Sequence, residues 1–235
     1  MGLFDDLFKK KGIPEKMNFL GKDYEINPDA MVFSQQGLDK YQSKDYSGAV
    51  TAFTKAINAQ PTNQNFYTMR GTAYEDMGKD SEAEKDFRKT LEILPTDSVA
   101  AYRLGMVYFR KQDFENAVKW LKISHSNSTG LGLEHVGITN NNIFFVHKKI
   151  IAGNLGNFLT QLKRYDEGFK YLDEAIKLDP NYANPYMTKG LALVQIGKQD
   201  EGIKYIKKAS ELGDPKAPAV LQMLNGLFGQ QKADK

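Results

Sequence analysis

Tyr46-Ser47-Gly48-Ala49-Val50-Thr51-Ala52-Phe53-Thr54-Lys55-Ala56-Ile57, followed by Pro61, sets the frame for the whole chain. Its spacing of small, aromatic and small residues ahead of a proline returns as Ala83, Phe87, Thr90 and Pro95. It returns again as Ala117, Leu121 and Ser124, with no proline. After an interruption it reads Gly168, Leu172, Ala175 and Pro180. The last copy reads Gly202, Ile206 and Ala209, closed by Asp214-Pro215. A matching first half precedes each copy: Phe33 and Gly37, then Tyr67, Gly71 and Tyr74, then Leu104, Gly105 and Tyr108. Leu155, Gly156 and Leu159 open the fourth, and Tyr186, Gly190 and Leu193 the fifth. Ala49, Ala83 and Ala117 stand 34 residues apart, and so do Gly168 and Gly202. Self-similarity at such a period marks a stacked-repeat architecture.

Five copies emerge, roughly 30–63, 64–97, 98–131, 149–182 and 183–215. Within each, apolar residues recur at intervals of three and four, as on one helix face. In the third copy they are Tyr102, Met106 and Phe109, then Phe114, Val118 and Leu121. The first-half glycines cost about 1 kcal/mol each against alanine. The expected return is a close approach of the paired helix, with Ala49, Ala83 and Ala117 as the other small surface. Prolines end second helices, and Asn184-Pro185 reads as an N-cap followed by a first-turn proline. One such unit cannot bury its apolar side alone, so neighbours must stack.

The pattern resembles the tetratricopeptide repeat family, whose units are helix-turn-helix pairs. The resemblance implies an all-α, right-handed α-α superhelix of about five hairpins with a C-terminal capping helix. The expected organisation is an N-terminal extension over 1–29, units over 30–123, an insertion loop over 124–141, two units with the cap over 142–226, and a flexible tail over 227–235. The loop signal is Ser124-His125-Ser126-Asn127-Ser128-Thr129-Gly130-Leu131-Gly132. The next helix is expected to begin early, with Ile143, His147, Ile150, Asn154, Phe158 and Leu162 on one stripe.

In the family's superhelix the first helices line the concave face. Carried over by register, that places Met31, Ser34, Leu38 and Tyr41 in the groove, then Asn65, Thr68, Thr72 and Glu75. Val99, Tyr102, Met106, Phe109 and Arg110 follow, then Ile150, Gly153, Asn157 and Gln161, and last Asn184, Met187, Leu191 and Gln195. Amides in such a wall can bond both edges of a peptide backbone, and Gly153 would admit a ligand backbone. The expected function is a non-enzymatic scaffold that binds a peptide or protein segment in this groove. The rival expectation is a self-associating, homodimeric module. In it the groove or apolar face is covered by the N-terminal segment or by a second copy, and Tyr102, Met106 and Phe109 in particular could be covered by that segment or by the loop around Leu131–Ile138. One family variant grips a C-terminal carboxylate with lysine, asparagine and arginine; the matching places hold Ser34, Leu38, Met69, Val99 and Arg103, so no such clamp is expected.

Composition narrows the alternatives. A formal net charge of +3 lacks the clustered basic excess of a nucleic-acid binder. The absence of cysteine removes disulfides and thiolate chemistry and fits a reducing compartment. Nothing approaches a membrane span, and Met1-Gly2-Leu3-Phe4-Asp5-Asp6 reads as neither a secretory signal nor a myristoylation site, so the expected location is cytoplasmic. Leu3, Phe4, Leu7 and Phe8 share a helical face ahead of Lys9-Lys10-Lys11, which suits docking on the protein's own body, on a partner or on a membrane surface. Phosphate-loop, nucleophile-elbow and zinc-protease patterns are absent. Gly130, Gly132 and Gly137 are misplaced for a dinucleotide site, and His125, His135 and His147 beside Glu134 match no ligand spacing. No cofactor, metal or catalytic residue is expected.

Overall fold

The computed structural model describes the backbone of residues 16–19, 22–25, 27–128 and 146–233, and the side chains of 27–128 and 146–227. Among the described residues, regular structure consists of eleven helices and one two-stranded sheet. The fold is therefore all-α apart from that hairpin. The chain divides into two compact units, Met1–Pro95 and Thr96–Lys235.

The first unit opens with the antiparallel pair β1 (Lys16–Phe19) and β2 (Lys22–Glu25), in which Lys16 faces Glu25 and Phe19 faces Lys22. The strands are an element the sequence did not announce. Four residues each are too few for a period of two to stand out. Four helices follow: α1 (Pro28–Gln42), α2 (Tyr46–Ala59), α3 (Gln64–Asp76) and α4 (Asp80–Ile93). Pro28 occupies the first turn of α1, where its missing N–H is no loss. Asn27 Oδ1 accepts from the Ala30 N–H at 3.2 Å, and Asp45 Oδ1 caps α2 through the Gly48 N–H at 2.9 Å. A Cβ added at Gly37 would lie 2.4 Å from the Phe53 ring, and one at Gly71 2.8 Å from the Phe87 ring. The expected close approach is there, and the glycine also makes room for the large residue four places beyond the alanine.

This unit's interior holds polar groups that are fully satisfied. The Thr68 and Thr90 hydroxyls lie 2.9 Å apart with neither side chain exposed. Arg70 forks onto Asp86 at 2.7 and 2.8 Å and donates a third bond to Thr54 Oγ1 at 3.1 Å. That fork ties α3 to both α2 and α4.

The second unit holds α5 (Ser98–Arg110), α6 (Phe114–Asn127), α7 (Lys148–Gln161), α8 (Tyr165–Leu178), α9 (Ala183–Gln195), α10 (Gln199–Glu211) and α11 (Ala217–Ala233). Here too each first-helix glycine admits a large neighbour: Leu121 at Gly105, Leu172 at Gly156, Ile206 at Gly190. Helix α6 runs to Asn127, into the region expected as loop from residue 124. The buried Ser124 hydroxyl fixes that last turn by donating to the Ser98 carbonyl at 2.7 Å. The remaining expected loop and the early helix start at Ile143–Phe145 lie outside the described residues. Helix α9 begins at Ala183 with Tyr182 as N-cap, so Asn184 is inside the helix rather than capping it. Helix α11 continues through Leu227, where a tail was expected, to Ala233.

Candidate protein-binding face

The first-unit positions carried over by register divide sharply by burial. Ser34, Leu38, Thr68 and Thr72 are buried, which corrects their placement on an open groove wall. Their side chains serve helix contacts instead. Ser34 Oγ lies 3.7 Å from Met69 Sδ across α1 and α3, and the Thr72 hydroxyl donates to the Thr68 carbonyl at 2.8 Å. Tyr41 is half-buried, with its hydroxyl donating to the Asp76 carboxylate. Asn65 is half-buried in the first turn of α3.

In the second unit the first helices α5, α7 and α9 follow one another in space. Asn154 Nδ2 of α7 donates to the Tyr102 hydroxyl at 2.9 Å and lies 3.8 Å from Met106 Sδ. Phe109 stacks on Phe158, and Phe114 meets Phe109 edge-on at 5.9 Å. Tyr102, Met106 and Phe109 are therefore half-buried under α7 of their own unit. Their cover is Asn154 and Phe158 of α7; the N-terminal segment and the 131–138 loop, expected in that role, lie largely outside the described residues. Arg110 is exposed at the end of α5.

On α7, Ile150 and Asn157 are half-buried and Gln161 is exposed. Gly153 is buried, and a Cβ added there would lie 3.1 Å from the Tyr182 ring and 3.7 Å from Pro185. The close approach that this glycine permits is taken by Tyr182 and not left for a ligand. Burial of that ring raises the Tyr182 pKa. On α9, Met187 is buried, whereas Asn184, Leu191 and Gln195 are exposed at intervals of seven and four, one stripe along the helix. Leu191 is 42% exposed. The side chains of Gln161, Asn184 and Gln195 make no hydrogen bond to another described residue. The stripe carries no charge.

One residue the sequence did not single out holds this face in place. Lys189 of α9 is 7% exposed. Its ammonium donates to Asp173 of α8 and lies 4.7 Å from the centre of the Tyr205 ring of α10. Burial works to lower the Lys189 pKa, but Asp173 and Tyr205 outweigh it and the pKa is raised. Three helices thus converge on one buried cation, which fixes how α9 turns its opposite side outward.

Among the described residues, no group of three or more histidines and carboxylates is placed to hold a metal ion. His125 Nε2 instead meets Glu174 at 2.9 Å, while His135 and Glu134 lie outside the described residues. No helix among the described residues is long and apolar enough to cross a membrane.

Family models of the tetratricopeptide repeat match residues 34–98, 68–124, 151–182 and 183–212. Among curated proteins, the Protein STIP1 homolog of Dictyostelium discoideum is 32% identical over 102 residues, 42% of this chain and 18% of that protein. Heat shock protein STI1 of Saccharomyces cerevisiae is 33% identical over 110 residues, 44% of this chain and 19% of that protein. The matched segments thus span less than a fifth of these relatives' length. Among solved structures, MamA superposes with a TM-score of 0.67 at 23% identity, over 82% of this chain and 96% of that one. PilF of Pseudomonas aeruginosa gives 0.69 at 15% identity, over 87% of this chain and 86% of that one. YrrB, described as a tetratricopeptide repeat protein with an unusual peptide-binding site, gives 0.66 at 16% identity, over 83% and 92%. These likenesses establish the fold.

Proposed function

The chain belongs to the tetratricopeptide repeat family, and from that premise we propose that it is a non-enzymatic interaction scaffold that holds an extended peptide segment of a partner protein against α7 and α9. The observation that carries the reading is the uncharged, outward stripe of Asn184, Leu191 and Gln195, with Asn157 and Gln161 on the neighbouring helix. Leu191 offers an apolar anchor. The amides offer donors and acceptors that suit a peptide backbone in either direction.

The same inventory argues against an acidic C-terminus as the ligand, although one relative is named Hsp70-Hsp90 organizing protein 2. Of the five places that match a carboxylate clamp, Ser34, Leu38, Met69 and Val99 are uncharged and buried here. Binding through an uncharged stripe is expected to change little with ionic strength, because no ion pair is there to screen.

Quantitative pull-down from the native lysate tests the reading, with wild type beside the double substitution Leu191→Glu/Gln195→Lys. Both positions are exposed, so the fold should tolerate them. Loss of the same proteins that wild type captures supports the assignment; equal recovery removes it.

A further inference from the structure

Asn63, Asp97 and Tyr182 hold the same place in the second, third and fifth repeats, eight residues ahead of Gly71, Gly105 and Gly190. Asn63 accepts from the Asn65 N–H at 3.1 Å and Asp97 Oδ1 from the Ala100 N–H at 2.8 Å, so both side chains serve as caps. Tyr182 supplies no such bond. Its hydroxyl does not make up for the lost cap, since it bonds no described residue. Tyr67 and Tyr186 behave otherwise. Each donates its hydroxyl to a nearby proline carbonyl at 3.2 Å, Pro61 and Pro180.

Tyr182 is also held in one place. Its N–H donates to the Asp179 carbonyl at 3.1 Å. The Asp179 carboxylate in turn accepts from Lys149 of α7 at 2.6 Å and from the Asn181 N–H at 2.9 Å. A Cβ built at Gly153 of α7 would lie 3.1 Å from the ring and 3.6 Å from the hydroxyl oxygen. Gly153 stands three residues after Ile150 and four before Asn157, so the three share one helix face. The hydroxyl therefore sits on α7 between Ile150 and Asn157, and its own chain continues two residues on to exposed Asn184. The ring is half-buried. Burial raises its pKa, so the hydroxyl stays protonated and able to donate at neutral pH. Packing against Gly153 alone would be served as well by phenylalanine.

We propose that the Tyr182 hydroxyl is a specificity-determining donor of the peptide site, bonding a main-chain carbonyl of the bound segment where that segment crosses from α7 to α9. The inference rests on the α7–α9 reading above and adds the acceptor that the segment must bring. That acceptor is a carbonyl rather than a carboxylate. Lys148 and Lys149, the cations just ahead of Ile150, are already engaged by Glu174 and Asp179. No charge on α7 or α9 is thus left over to hold an anion beside the hydroxyl. A donor fixed before the ligand arrives loses little freedom on binding.

A displayed library of short, random, uncharged peptides supplies the probe for the full chain. Peptides retained by wild type and lost on Leu191→Glu/Gln195→Lys are labelled with a fluorophore and titrated by anisotropy. Tyr182→Phe keeps the ring and should weaken their binding roughly three- to tenfold. The loss should be similar for selected peptides of unrelated sequence, because a main-chain carbonyl is common to all. The melting temperature of Tyr182→Phe should not fall, since the hydroxyl bonds nothing in the protein. Tyr186→Phe should do the converse, lowering the melting temperature and leaving binding unchanged. Equal binding by Tyr182→Phe and wild type overturns the inference and leaves the α7–α9 reading standing. A fall in its melting temperature, or a loss confined to one peptide sequence, also overturns it. A library that yields no peptide dependent on Leu191 and Gln195 removes the α7–α9 reading, and the inference with it.

Discussion

Phe109 of α5 and Phe158 of α7 stack with ring centroids 4.4 Å apart and planes 11° from parallel. In sequence the two lie on either side of residues 129–145, yet in space their helices meet as consecutive repeats do. The pair joins the third repeat to the fourth.

Breaking that junction should be costly. Phe158 is 1% exposed, so Phe158→Ala is expected to lose about 3–5 kcal/mol of stability. Phe109 is half-buried and Phe109→Ala should lose less. A double-mutant cycle by urea unfolding should return a coupling of about 0.5–1.5 kcal/mol for the stacked pair. The hydrogen bond from Asn154 to Tyr102 adds a second reason not to probe binding by substitution here, since lost capture would then report lost packing.

The turns inside the hairpins make a different prediction. Lys44, Gln112 and Lys163 have φ of 63°, 60° and 59°, while Gly78 and Gly197 fill the same place in the other two hairpins. A side chain in the left-handed region costs about 1–2 kcal/mol, partly offset by the freedom glycine gives the unfolded chain. Lys44→Gly, Gln112→Gly and Lys163→Gly should each raise stability by up to about 1 kcal/mol. Gly78→Ala should lower it by a similar amount. Thermal unfolding of the four variants checks both signs.

Much of this architecture is legible in the sequence because its signals repeat. Each glycine that admits Phe53, Phe87, Leu121, Leu172 or Ile206 recurs in register, and agreement over five copies outweighs any single weak position. The outer face is harder to read. Ser34 and Thr68 look suited to a groove by type and register, but a hydroxyl can also be satisfied inside a helix contact, and only coordinates distinguish the two. Leu191 and Leu193 are the same residue type two places apart, one exposed and one buried. The strands at 16–25 are too short to declare a period. Lys189 gave no sign of burial, because its partners Asp173 and Tyr205 come from different helices.

Arg70 and Asp86 form a largely buried ion pair in the first unit. Arg70→Met should be destabilising by about 3–5 kcal/mol, since it leaves the Asp86 carboxylate buried without its partner. Adding Asp86→Leu should recover a large part of that loss. Chemical denaturation of the two singles and the double measures it. A double variant no better than the worse single would contradict the account.

Stability should fall in acid for identifiable reasons. The Gly48 N–H and Lys40 hold the Asp45 pKa below its ordinary value of 3.8. Asn116 does the same for Asp113, and Lys149 with Asn181 for Asp179. A lowered folded pKa gives stability that is present above the unfolded value and is lost as pH falls through the folded one. The loss should therefore set in below about pH 4. Asp86 opposes the trend, because burial raises its pKa even with Arg70 beside it. Asn also caps helices, so Asp45→Asn/Asp113→Asn should keep both helix starts and flatten the acid slope of the melting temperature.

The central claim is that the outward stripe of α9 touches the partner. A photo-activated cross-linking residue placed at Leu191 tests it, with the same residue at exposed Lys204 on α10 as the comparison. The account predicts covalent adducts to a peptide segment of a partner protein from Leu191, and few or none from Lys204. Equal labelling at the two positions, or labelling at Lys204 alone, would contradict it.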